Sequence, residues 1–258
     1  MLDVMGEKPF DDLADVYDAM IDWTRRLARE EPFYRRVFAR FEARRVIDVA
    51  CGTGRHAARF HSWGLEVEAA DLNASMIAHA RARFGRPAGL RWVVRGFDHP
   101  INADHLFDVA LCVGNSLSLA PDADVVRRTL GHMLEALRPG GGLVLHVLNL
   151  APLPDGPTLW QKATRLTLPR GDVFLLKGVH RHGRRGYVDL VLSNVETGAL
   201  LHGESVPFLG LDPADLIAMV QEAGAAAIQC LGGYADEPFE PEKSTDLILV
   251  ARKEGEKE

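Results

Sequence analysis

Cysteine is scarce in this chain: 258 residues contain Cys51, Cys112 and Cys230. An odd, sparse set with no CxxC spacing argues against a disulfide framework and for a reducing compartment, so the expected location is the cytoplasm. Positive charge is not in excess either. The 30 Lys and Arg stand against 36 Asp and Glu, a formal net charge of −6, which speaks against a nucleic-acid groove. No apolar run reaches transmembrane length, and the polar, acidic stretch from Met1 to Pro9 is unlike a signal peptide, so no membrane partner is expected. HxxxH spacing and cysteine clusters are missing, and with them the usual signs of a metal centre.

What is present is apolar bulk, 47% of residues, enough for one sizeable α/β domain with an insertion. Spacing predicts helices over 11–21 and 31–43, the second with Pro32 in its first turn. Strands and helices then alternate. Strands are expected at 46–50, 65–70, 90–94, 107–113 and 143–148, and helices at 56–63, 75–84 and 123–137. Such alternation makes a parallel sheet covered on both faces. From Trp160 to Phe208 the rhythm changes to β-rich segments separated by turn signals at 169–171, 182–186 and 196–198, which predict antiparallel hairpins. A helix over 212–222, with Asp212 capping it before Pro213, and strands at 225–231 and 246–251 follow. The organisation is thus a helical segment (1–44), an α/β core (45–150), an inserted antiparallel sheet (151–210), and a closing helix and hairpin (211–258). Residues 253–258 read as a solvated tail.

The first βα turn is Asp48-Val49-Ala50-Cys51-Gly52-Thr53-Gly54. Glycines here let backbone approach a ligand and aim helix N–H groups at it. Asp71 ends the next strand, where a carboxylate can accept both hydroxyls of a ribose. Gly52-x-Gly54-x-x-Ala57 also meets the loose dinucleotide pattern, so a nicotinamide enzyme is a competing reading. Asp48 opposes it, because its charge would repel a pyrophosphate and would suit an ammonium.

The run at 48–54 resembles the first motif of class I S-adenosylmethionine-dependent methyltransferases, and the likeness covers the core from about Arg45 to Leu150. It implies a Rossmann-like seven-stranded sheet with helices on both faces, closed by a reversed hairpin, plus the small inserted antiparallel sheet. It implies S-adenosylmethionine as cofactor and no metal. Implied cofactor contacts are Asp48, Ala50, Cys51, Gly52 and Gly54, then Asp71, Leu72 and Met76, with Phe97 and Asp98 bordering adenine. Leu137-Arg138-Pro139-Gly140-Gly141-Gly142 resembles the structural turn that leads into the fifth strand.

Gly114-Asn115-Ser116, after the fourth strand, resembles the glycine N-methyltransferase branch and related small-molecule enzymes. Tyr17, Trp23 and Arg26 resemble that branch's amino-terminal lid. The expected activity is methyl transfer to a small molecule, most simply at an amine nitrogen. O-methylation with His146 as base is the alternative, and a non-catalytic cofactor-binding protein is a third reading. Asn115 and His146 are the candidate catalytic residues. Arg165, a charge on an alternating strand of the insert, is the candidate anchor for a substrate carboxylate. His180, Arg181, His182, Arg184 and Arg185 crowd one hairpin and read as a solvated turn. The insert is also a candidate contact for a homo-oligomer.

Overall fold

A computed structural model describes residues 13–169 and 171–255. The expected helix start at Asp11, the polar stretch before it, Arg170 in the first hairpin turn and the last three residues lie outside the described residues.

The first helix, α1, is Leu13–Met20 and the second, α2, is Trp23–Arg40. The sequence expectation for α2 is corrected here: it starts well before Glu31, and Pro32 lies in its interior. An interior proline removes one helical hydrogen bond and costs about 3 kcal/mol. The burial of Trp23, Phe33, Tyr34, Val37 and Phe38 along one face outweighs that cost. Asp22 caps the start, its carboxylate accepting from Arg25 N–H at 3.0 Å.

Next come β1 (Arg45–Val49), α3 (Arg55–His61), β2 (Glu66–Asp71), α4 (Ala74–Phe84), β3 (Leu90–Val94), β4 (Phe107–Cys112), α5 (Ala123–Glu135) and β5 (Leu137–Leu148). β5 begins before the expected Leu143, because Leu137 already pairs with Phe107. A register irregularity between Phe107 and Val109 absorbs the Pro-Gly segment. β6 (Leu159–Leu168), β7 (Gly171–His182), β8 (Arg185–Asn194) and β9 (Leu200–Leu209) form the insert. α6 (Pro213–Glu222), β10 (Ala225–Leu231) and β11 (Asp246–Lys253) return to the core.

The seven-stranded sheet has the order β10-β11-β5-β4-β1-β2-β3, and the insert is a separate antiparallel sheet in the order β6-β7-β8-β9. β1 to β5 run parallel, while β11 is antiparallel to both β5 and β10. Successive residues of β1 feed opposite cores: Ile47 packs with Leu130, Leu145 and Val220, and Val46 with Phe33, Phe60 and Ile77. That two-sided burial is why these strands read as continuous apolar runs. A third cluster joins Val16 of α1 to Leu166, Leu168, Val173, Leu175 and Leu192 of the insert. The insert is therefore packed on the amino-terminal helix. Among the described residues no helix is long and apolar enough to cross a membrane.

Candidate active site

The carboxyl ends of β1, β2 and β4 meet beneath α1 and the start of α2. After β1 the chain turns sharply, with positive φ at Ala50 (62°), Gly52 (56°) and Gly54 (74°). Gly54 caps α3, and a Cβ there would lie 2.4 Å from the Trp92 ring, so this glycine is required by both conformation and packing. Gly52 N–H donates to Asp71 Oδ2 at 2.7 Å, and Asn73 N–H donates to Asp71 Oδ1 at 2.9 Å. Both carboxylate oxygens are thereby fixed at the mouth of β2, each with acceptor capacity left for a ligand hydroxyl. Cys51 is held as the thiol, because burial and then the nearby Asp48 and Asp71 push its pKa well up.

Asp48 is the unusual group. It is 1% exposed, and neither carboxylate oxygen has a hydrogen-bond partner among the described residues. Burial first, and then Asp71, push its pKa up to about 7, against the pull of Arg26. A buried carboxylate without donors is costly unless a cation or donor meets it. The ammonium of a methionine moiety has that chemistry, so these carboxylates fit an adenosine cofactor that carries an α-amino group.

Arg26 roofs this end of the site. Its guanidinium lies over the Trp23 ring at 5.1 Å, and a Cβ at Gly114 would stand 3.7 Å from its Nη2. Arg26 Nε donates to Glu30 Oε1 at 2.9 Å, and the other Glu30 oxygen meets His56 Nε2 at 2.7 Å. Tyr17 is half-buried beside Arg26. Burial raises the phenol pKa despite that cation.

Strand β4 ends at Cys112, and Gly114 (φ 74°) and Asn115 (φ 69°) make the following turn. Here the geometry bears on the two candidate catalytic residues. His146 is no free base. Its Nδ1 accepts from Gly114 N–H at 3.2 Å and lies 3.1 Å from the Tyr234 hydroxyl, while Nε2 faces Asp246 Oδ1 at 3.0 Å. A backbone N–H is always a donor, so Nδ1 carries the lone pair and Nε2 the proton. Asn115 Oδ1 accepts from Leu148 N–H at 2.9 Å, and its backbone N–H donates to the His146 carbonyl at 3.0 Å. Both residues shape the β4 turn from below. Ser116 Oγ donates to the Val113 carbonyl at 3.0 Å.

On the opposite rim, Leu72 is 72% exposed beyond Asp71, and Met76 is half-buried on α4. Phe97 packs against the core, and Asp98 is half-buried with Oδ1 at 3.0 Å from His99 Nδ1. Arg165, the candidate substrate anchor, lies on the insert. Its side chain is 63% exposed and forks onto Asp172 of the neighbouring strand, with Nε at 2.8 Å from Oδ2. The apolar inner face of β6 is set by Leu166 and Leu168, so Arg165 falls on the outer face, away from α1. Among the described residues no group of His, Cys, Asp and Glu is gathered to hold a metal ion.

Sequence reading missed Asp18 and Glu30. Asp18 ties α1 to the first motif. It accepts from Thr53 Oγ1 at 2.7 Å, Arg55 Nη2 at 2.6 Å and Arg83 Nη1 at 3.2 Å, with His79 Nε2 at 3.3 Å. Burial would raise its pKa, but the bonds from Arg55 and Thr53 win and hold it below the ordinary carboxylate range. If this segment closes over the cofactor that the first motif's resemblance implies, Asp18→Asn should loosen α1 and speed dissociation of S-adenosylhomocysteine several-fold. Stopped-flow ligand displacement measures it, and an unchanged off-rate would make the latch packing only.

Residues 46–141 match the model of a family described as a methyltransferase domain. The chain is 32% identical over 155 residues to the glycine/sarcosine N-methyltransferase of Halorhodospira halochloris, covering 58% of this chain and 56% of that protein. It is 30% identical over 138 residues to the glycine N-methyltransferase of Rattus norvegicus, covering 46% and 47%. The chain thus spans about half the length of the curated relatives it matches. Among solved structures, the CcbJ methyltransferase of Streptomyces caelestis shares the fold at a TM-score of 0.77, with 22% identity over 95% of this chain and 97% of that one. The sugar N-methyltransferase KedS8 of a Streptoalloteichus species shares it at 0.73, with 20% identity over 98% and 97%. The domain match over 46–141, the N-methyltransferase relatives and the shared fold together support reading the chain as a class I S-adenosylmethionine-dependent methyltransferase.

Proposed function

We propose that this protein transfers the methyl group of S-adenosylmethionine to the nitrogen of a small-molecule amine. The observation that carries the cofactor assignment is Asp48, a buried carboxylate with no donor, standing beside Asp71 at the end of a glycine turn. In this reading Asp48 meets the cofactor ammonium and Asp71 the ribose, while Leu72, Met76, Phe97 and Asp98 border adenine. Gly114 and Asn115 shape the reacting end. Tyr17 and Arg26 close over it and exclude water.

The bound cofactor supplies an electrophilic methyl on a sulfonium. The chain's task is alignment and desolvation, the main sources of acceleration for a displacement with dispersing charge. The amine lone pair forms the new N–C bond, the C–S electrons stay on sulfur, and the methylated nitrogen gives its proton to water. No strong base is required once the amine is neutral, whereas a hydroxyl usually needs one. His146, the base that O-methylation would recruit, has both ring nitrogens engaged. N-methylation is also the chemistry named for the glycine/sarcosine and sugar enzymes that this chain resembles.

Calorimetry should show binding of S-adenosylmethionine and S-adenosylhomocysteine but not NAD. Asp71→Ala should lose about 1.5–3 kcal/mol of that affinity, the range for hydrogen bonds to a charged group. A methyl-transfer screen of amino acids, amino sugars and phenols, run in excess chelator, tests the acceptor. Binding of NAD alone would overturn the cofactor assignment. Turnover of phenols only, or turnover that required magnesium, would overturn the amine assignment.

A further inference from the structure

Two lysines face each other on the inner side of the inserted sheet. Lys162 of β6 and Lys177 of β7 are register partners, so both side chains leave the sheet on the same face. That face carries Leu166, Val173 and Leu175, which pack on Val16 of α1. Like charges directly opposite in an antiparallel pair repel one another, and here the pair is turned inward against apolar neighbours.

The Lys162 ammonium donates to the Met20 carbonyl at the end of α1. The half-buried Lys177 has no such acceptor among the described residues, and no carboxylate acts on it. The charges it feels are Arg26 and Lys162, and these, after burial itself, hold its pKa below the ordinary lysine value. Arg26 is neutralised by Glu30; among the described residues the lysine pair has no such counterpart. The acid in line with Lys177 across this face is Glu204 of β9, two strands away, which turns to His202. Because Arg26 reaches the Gly114 turn, the unbalanced charge lies on the side of the insert that borders the reacting end. Buried positive charge of this kind is resolved by an anion with oxygen acceptors.

We infer that Lys177 anchors an oxyanion, a carboxylate or a phosphate ester, carried by the acceptor amine. The inference rests on the methyl-transfer reading and adds the acceptor's charge to it. It also moves the anchoring role from Arg165, on the outer face, to the inner face of the next strand.

The test uses the full chain saturated with S-adenosylhomocysteine, titrated with acetate or inorganic phosphate in a calorimeter. Wild type should bind one of the two anions at a single site, and the preferred anion separates a carboxylate-bearing from a phosphorylated acceptor. Lys177→Met should weaken that binding at least tenfold, Lys177→Arg should retain most of it, and Arg165→Met should leave it unchanged. Equal anion binding by wild type and Lys177→Met, or no binding by wild type, would overturn the inference. So would a Lys177→Met variant whose loss falls on S-adenosylhomocysteine instead, because the lysine would then belong to the cofactor. Failure of S-adenosylhomocysteine itself to bind would strike the methyl-transfer reading, and is read first in the same instrument.

Discussion

Asp48→Asn should weaken S-adenosylmethionine binding by roughly 2–5 kcal/mol, the range for removing one partner of a buried charge pair. The same substitution should raise the melting temperature of the cofactor-free protein at pH 8. Both signs follow from one carboxyl. Its folded pKa of about 7 lies above the ordinary value of 3.8. The folded chain therefore holds a proton that the unfolded chain releases, and the stability contributed by Asp48 falls as pH rises from about 4 through 7. An ammonium ligand selects the ionised form. Cofactor affinity should climb about 100-fold between pH 5 and pH 8, levelling off above about 7, and the Asn variant should show a flat profile over that range. Calorimetric titration across pH gives the profile and thermal melts give the stability. A wild-type affinity indifferent to pH, or an Asn variant that binds normally, would remove Asp48 from the cofactor site.

Glu30→Ala should destabilise the protein by about 3–5 kcal/mol, because it leaves a buried partner charge uncompensated. Glu30 is 1% exposed and joins Arg26 of its own helix to His56 of α3. Burial alone would raise its pKa, but the bonds and charges of His56 and Arg26 outweigh that and bring it down to about 2. A depressed carboxyl contributes stability that is present above its ordinary pKa, near 4.5, and is lost as pH falls through about 2. His56 acts earlier on the same side. Burial holds its pKa below the ordinary 6.5, so the unfolded chain takes up a proton that the folded one refuses, and stability declines as pH drops below about 6.5. Urea unfolding at pH 7 should show the loss in the Ala variant, with a smaller loss for Glu30→Gln, which keeps an acceptor. Arg26 loses its counter-charge in both, so cofactor binding should weaken with stability. A fully stable Glu30→Ala protein would mean that Arg26 and His56 find other partners.

Most of the fold was legible before the structure. The strands at β1, β2, β3 and β4 fall within a residue of their expected positions, because a parallel strand inside a covered sheet is a short, mostly apolar run between turn residues and needs no distant partner to be recognised. The insert was legible for a related reason: its hairpin turns are written in Gly, Pro and Asn. The start of α2 was not. Pro32 is a local signal for a first turn, and it was overruled by aromatic packing that joins Trp23 to Tyr17, His56 and the core.

Within the site, the sequence by itself determined the glycine turn at 52–54, the acids at 48 and 71, and the order in which strand ends deliver them, because these depend on local backbone geometry. Only the tertiary structure decided which polar side chains remain available. His146 and Asn115 sit where a catalytic group would sit, yet both ring nitrogens of His146 and the amide oxygen of Asn115 are engaged by Gly114, Asp246 and Leu148. Arg165 and Lys177 look alike as charges on alternating strands, yet one is paired on the outer face and the other lies on the inner face with no acid against it among the described residues. A side chain's chemistry depends on what fills its lone pairs and which face it leaves from. Both are fixed by residues far away in the chain.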